Sequence, residues 1–126
     1  MKKTILVLGI LSLGLMSFST SDIFVENNTH KVMQEEIVIE GVGVTKTIET
    51  TGKESIRIEG TNNKITISGS CNAIKIEGVD NIVTVDDVKT VTIEGTGNKV
   101  TYKKSSNSDG KVQSKIEGVN NSIKQQ

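Results

Sequence analysis

Acidic side chains recur at a fixed place in this sequence, directly before a glycine. They are Glu40, Glu59, Glu77, Glu94 and Glu117. Carboxylate oxygens are the ligands that Ca²⁺ takes, so such a row could bind a hard cation or a basic partner. Glu59, Glu77 and Glu94 are the candidate metal ligands.

Basic residues argue for a plainer interpretation of the same row. Arg57, Lys75 and Lys115 stand two positions before a glutamate, where they can offset its charge. The chain also lacks the Gly-Asp repeat of calcium-binding β-rolls. We therefore favour a solvated face of paired charges, with the cation site as the alternative.

Catalytic groups are scarce in the chain. His30 is the single histidine and lies outside the regular part, so neither a Ser-His-Asp nor a Cys-His arrangement can form within that part. Clusters of His and Cys that bind zinc are excluded in the same way. Asp86 and Asp87 are adjacent and indicate a turn. We expect no enzyme and no cofactor.

Cys71 is the single cysteine, so no intramolecular disulfide can form. It follows Gly69 in a turn, where a small, partly buried residue is the favoured interpretation. The alternative is a free thiol that dimerises the protein or binds a metal.

Apolar residues indicate the elements that position these groups. Ile56, Ile65, Ile74 and Val83 begin units nine residues apart, and two further units follow after a one-residue deletion. Within each unit apolar residues stand two apart with a polar residue between them. This alternation predicts one short strand per unit, with one buried face.

The turns between these strands alternate in kind, so the full repeat is about 18 residues long. One class is irregular. The other has the pattern Gly-x-x-Asn and places an asparagine where stacked coils could bond each other's backbone. The predicted ladder consists of Asn63, Asn81, Asn98 and Asn121.

Two all-β architectures satisfy this pattern. A thin β-solenoid closes its own core, whereas an antiparallel meander or small barrel of such short strands leaves an apolar face with almost no aromatic residue to cover it. We favour the solenoid. Its five coils, with two short strands each, would start near Ile37, Ile56, Ile74, Val91 and Ser114.

The terminal coils are expected to be imperfect. Residues 44–48 do not phase well with the later second strands, and Ser114 and Gln125 stand where the repeat would place apolar residues. We interpret these polar residues as caps.

The start of the chain has the features of an export signal. Basic Lys2 and Lys3 precede an apolar run over residues 4–18, with small residues before Thr20 and Asp22. We predict a signal peptide over 1–21, a linker or cap over 22–36 and the β-repeat domain over 37–126. No cysteine follows the apolar run, so the protein is not expected to be a lipoprotein, and no later segment is apolar enough to span a membrane.

The repeat resembles the bacterial exported family of domain of unknown function 3060. The resemblance is carried by IRIEGTNN at 56–63, ITISGSC at 65–71, IKIEGVDN at 74–81 and VTIEGTGN at 91–98. It implies export and a β-repeat fold and assigns no activity.

Charge and composition argue against some classes of binding partner. Without Lys2 and Lys3 the chain has 13 basic and 15 acidic residues, so it lacks the excess of positive charge that nucleic-acid binding requires. Trp is absent, which argues against glycan binding. We expect a periplasmic or secreted structural or interaction domain of the cell envelope with an unknown macromolecular partner. The alternative is a module that binds cations or glycans through its glutamate row.

Overall fold

The structure is a computed structural model, and it describes residues 34–126. The predicted signal peptide, most of the predicted linker and His30 lie outside the described residues. Within the described part the chain is all-β and forms eight strands: β1 (Glu36–Val42), β2 (Thr45–Thr51), β3 (Ser55–Thr61), β4 (Lys64–Val79), β5 (Ile82–Thr96), β6 (Lys99–Lys104), β7 (Gln113–Val119) and β8 (Ser122–Gln125). No helix long and apolar enough to cross a membrane occurs among these residues.

Every strand pairing is parallel, which confirms the solenoid and excludes the antiparallel meander. The chain winds through about four turns. Equivalent residues pair from each coil to the next: Ile37 with Ile56, Ile56 with Ile74, Ile74 with Val91, and Val91 with Ser114. These are the five predicted starts of the coils, and each coil stacks on the one before it.

Two long strands differ from the expectation of two short strands per coil. β4 and β5 each run without interruption from the second strand of one coil into the first strand of the next. The irregular turns at Gly69 and Asp86 are therefore bends within strands, with a register shift between Ile67 and Ser70. Backbone pairing to the neighbouring coils persists through the bends, so the strands do not end there.

β-branched side chains fill the interior in straight columns. One column is isoleucine in all five coils, at Ile39, Ile58, Ile76, Ile93 and Ile116. Its three central members are 0% exposed. Val83, Val85 and Val100 of the facing strands pack in the same core. Ile and Val pack well on the buried face of a strand, which is why a core of aliphatic side chains is sufficient here.

The first coil corrects one expectation. Residues 44–48 phase with the later second strands, because Lys46 pairs with Ile65 and Ile48 pairs with Ile67. This register could not be recognised from the sequence, because a lysine occupies a position that is apolar in every later coil. At the other end, Ser114 and Gln125 do occupy positions that are apolar in the middle coils.

Candidate functional site

Asparagine side chains connect the coils at the regular turns. The Oδ1 atom of Asn81 accepts a hydrogen bond from the backbone N–H of Asn63 at 3.0 Å, and its Nδ2 donates to the carbonyl oxygen of Gly60 at 3.0 Å. Asn63, Asn98 and Asn121 make the same two bonds to the coil before their own. Asn81 and Asn98 also donate to the Oδ1 atom of the next asparagine, at 2.9 and 3.1 Å.

A glycine is required three residues before each ladder asparagine, because the backbones of adjacent coils are in close contact at that position. A Cβ atom on Gly60 would lie 1.9 Å from the carbonyl oxygen of Gly41, and one on Gly78 would lie 1.9 Å from that of Gly60. These carbonyl oxygens are the ones that accept the asparagine amides. The Gly-x-x-Asn pattern is therefore one structural unit, in which glycine permits the approach and asparagine bonds across it.

The ladder has no accessible surface at its centre. Asn81 and Asn98 are 0% exposed and Asn63 is 1% exposed. Their hydrogen-bonding groups are occupied by the neighbouring coils, so these residues stabilise the stack and do not face a ligand.

The five repeated glutamates form a continuous row on the outside of the first strands. Glu40, Glu59, Glu77, Glu94 and Glu117 are paired in register from coil to coil. Successive carboxylates therefore recur at the strand spacing of about 4.8 Å, at which like charges destabilise a sheet unless they are offset.

Basic residues in the same strands offset three of these five charges. Lys75 bonds Glu77 and Lys115 bonds Glu117, each with an N–O distance of 2.6 Å. Arg57 contacts Glu59 and also reaches Glu36 of the first coil, at 3.0 Å in the latter case. Glu40 and Glu94 have no basic residue two positions earlier, since Val38 and Thr92 stand there.

These ion pairs shift the titration of their members. The hydrogen bond from Lys75 lowers the pKa of Glu77, and that from Lys115 lowers the pKa of Glu117. The hydrogen bond to Glu36 raises the pKa of Arg57. All of these side chains are at least partly exposed, so solvent screens the pairs and each contributes little to stability.

No group of three His, Cys, Asp or Glu side chains within residues 34–126 is arranged to hold a metal ion. Of the three candidate ligands, Glu59 and Glu77 have their charge offset by Arg57 and Lys75 within the same strand. The geometry of this row is that of a charged, solvated face.

A polar cluster at the irregular turn was missed by the sequence analysis. Asp87 is 4% exposed, and its Oδ2 accepts hydrogen bonds from Ser70 and Ser106, while Oδ1 has no partner among the described residues. Asp86 lies on the opposite side of the strand, where it accepts from the backbone N–H of Gly69 and pairs with Lys103. The contact with Gly69 is the main cause that lowers the pKa of Asp86.

Glu54 is a second structural carboxylate that sequence reasoning missed. It is 9% exposed and accepts hydrogen bonds from the backbone N–H groups of Thr51 and Gly52 and from the Thr51 hydroxyl. These bonds, with those from Thr51 the largest cause, lower its pKa to about 2. The signal available in the sequence was the Thr-Gly-Lys-Glu run, because a carboxylate can bond the N–H groups of a turn two or three residues before it.

Cys71 is a free thiol that lies in the core at 2% exposure. Its single S–H faces two carbonyl oxygens, that of Ala73 at 3.2 Å and that of Glu54 at 3.5 Å from Sγ. Burial raises the pKa of this thiol to about 11, so it is protonated at neutral pH. The residue is positioned for packing.

Comparison with known proteins gives one finding. Neither the curated proteins nor the solved structures contain a match. A family described as "Protein of unknown function (DUF3060)" matches residues 58–115, a stretch that begins in the second coil and ends in the fifth. The chain therefore resembles this family over the central part of its solenoid, including three of the four ladder asparagines.

Proposed function

We propose that this chain is an exported, non-catalytic structural or interaction domain of the bacterial cell envelope. The observation that supports this proposal most is that the repeated residues connect one coil to the next. In the central coils the repeated asparagines and isoleucines are buried and bond or pack against the neighbouring coil, and the repeated glycines permit that close approach. The repeat therefore builds a scaffold that offers its outer strand faces to a partner.

The two outer faces differ in chemistry, so a partner would distinguish them. The first-strand face carries the glutamate row with its basic neighbours. The second-strand face carries Thr47, Thr66, Thr84 and Thr101 in register. A charged macromolecule would select the first face, and its binding would weaken as salt screens the charges.

Export is tested with the start of the chain. The full protein is fused to an alkaline phosphatase that is active only outside the cytoplasm, and mass spectrometry identifies the mature N-terminus. We expect activity and a mature chain that starts at Thr20 or Asp22. The matched control, Leu8→Arg with Leu11→Arg, interrupts the apolar run and should abolish both. Equal activity in the two fusions would refute export.

Presentation of the charged face is tested by cosedimentation of the purified exported form with isolated cell envelopes. The triple variant Glu59→Gln, Glu77→Gln and Glu94→Gln should lose binding. The matched variant of the other face, Thr66→Ala, Thr84→Ala and Thr101→Ala, should retain it. Binding that is equal in wild type and both variants, or absent from all three, contradicts the proposed role of this face.

A cation site at the same row is the second candidate, and Glu94 is the residue that favours it. Thr92 stands where the other coils of the centre have Arg57 and Lys75, so the lysines that act on Glu94 are Lys75 and Lys115 of the adjacent coils, which already bond their own glutamates. Calorimetric titration of Ca²⁺ tests this function directly. Saturable heat that Glu94→Gln removes would support it, and no heat would exclude it. Glycans are disfavoured because Tyr102, the one aromatic residue of the described part, packs against the core.

A further inference from the structure

The fifth coil covers the apolar columns of the described stack incompletely. Two of its inward positions are polar, Ser114 and Gln125, but the other two are Ile116 and Ile123. Ile116 is 45% exposed, whereas Ile58, Ile76 and Ile93 of the same column are 0% exposed. Among residues 34–126, strand β7 is exposed along its whole length and pairs with β5 alone. A bare strand edge beside exposed apolar side chains is a template for another strand.

The first coil of a second copy does not fit this edge. Continued stacking would require an asparagine that bonds the N–H of Asn121 and the carbonyl oxygen of Gly118. In the first coil Val44 occupies that position, because it donates its N–H to Asn63 as the start of the ladder. Lys46 would also lie over Ile123, where the stack is apolar. Head-to-tail growth is therefore disfavoured.

A second β7 does fit, because the strand is self-complementary when it is antiparallel to itself. Its sequence is QSKIEGV, with Ile116 at the centre. Pairing about a two-fold axis at Ile116 places the two Ile116 side chains together on the core side. On the outer side Lys115 then lies opposite Glu117 of the partner subunit, twice by symmetry. Opposite charges at directly facing positions stabilise antiparallel pairs.

We propose that β7 is a homodimerisation edge, at which two copies of this chain join tail to tail through antiparallel β7 strands centred on Ile116. The two-fold symmetry closes the assembly at two subunits. The contact involves only the edge of one coil, a strand about 23 Å long at ~3.3 Å per residue. The area that it buries is therefore well below that of a standard stable interface. Dimerisation is therefore expected to be weak and to require a high protein concentration.

Sedimentation velocity of the full exported form over a concentration series tests the proposal. Wild type should shift from monomer to dimer, and Ile116→Lys should remain monomeric. Lys115→Glu and Glu117→Lys should each be monomeric, because each places like charges opposite each other. An equimolar mixture of these two variants should form dimers again, since every facing pair is then of opposite charge.

Matched controls separate this edge from a general effect of the charge row. Lys75→Glu and Glu77→Lys break the equivalent ion pair in a central coil and should dimerise like wild type. Circular dichroism verifies that all variants are folded. A monomeric wild type at 500 µM, a mixture that stays monomeric, or growth beyond the dimer would each overturn the proposal.

Discussion

Removal of one ladder side chain should cost more at the centre of the stack than at its end. In Asn81→Ala the N–H of Asn63 and the carbonyl oxygen of Gly60 both lose their partner. Asn81 is 0% exposed, so water does not readily replace the lost amide. A buried backbone group left unpaired costs about 1–3 kcal/mol, which gives a loss of about 2–6 kcal/mol for the two.

Asn121→Ala is the matched comparison, because it removes the same two kinds of bond from Asn98 and Gly95. Asn121 lies in the terminal coil and is partly exposed, so water can satisfy part of what is lost. We expect a smaller decrease in the free energy of unfolding, about 1–2 kcal/mol.

Urea unfolding followed by circular dichroism measures both variants. Equal losses in Asn81→Ala and Asn121→Ala would refute the role of burial in this reasoning. A loss below about 0.5 kcal/mol in Asn81→Ala would refute the ladder itself, since that is within the range of an ordinary surface substitution. Thr84→Ala, on the outer face of a neighbouring strand, supplies that surface reference.

Three further predictions follow from single residues. Gly78→Ala should prevent folding, as judged by circular dichroism, because its Cβ would lie 1.9 Å from the Gly60 carbonyl oxygen. The control is Gly110→Ala, whose Cβ would have no atom within 4 Å. It should cost only the strain of its positive φ, about 1–2 kcal/mol. The lowered pKa of Glu54 contributes stability that is complete above its ordinary value of 4.5 and is lost as the pH falls towards 2, so thermal melts of Glu54→Gln should depend less on pH across that window. Cys71 should react with a thiol reagent at pH 8 only after unfolding in urea, because the native thiol is buried and has its pKa raised to about 11, and fast reaction of the folded protein would contradict this.

The sequence predicted those parts of the fold that repeat. The Ile columns, the glutamate row and the starts of the coils follow from spacing alone, because parallel stacking places each residue over its equivalent in the next coil. Lys46 concealed the register of the first coil, since one lysine at an inward position breaks the apolar alternation that identifies a strand. The bends at Gly69 and Asp86 resembled turns because Gly, Ser and Asp are turn residues in isolation, and pairing to the neighbouring coils decides otherwise.

The buried carboxylate of Asp87 illustrates why the remaining features could not be predicted from one coil at a time. The offset between equivalent first-strand residues is 17 residues from Ala73 to Thr90 and 23 from Thr90 to Gln113, so a short coil is followed by a long one. The additional residues of the long coil fold back over the contracted bend.

Ser106 donates to Asp87, and Asn107 donates to the carbonyl oxygen of Lys89 at 2.8 Å. The loop thereby supplies polar partners to a bend whose own coil has too few residues to provide them. The two departures from the repeat are therefore one compensated feature. Ser106→Ala and replacement of Asp87 should therefore not be additive in urea unfolding, because both changes remove the contact between Ser106 and Asp87.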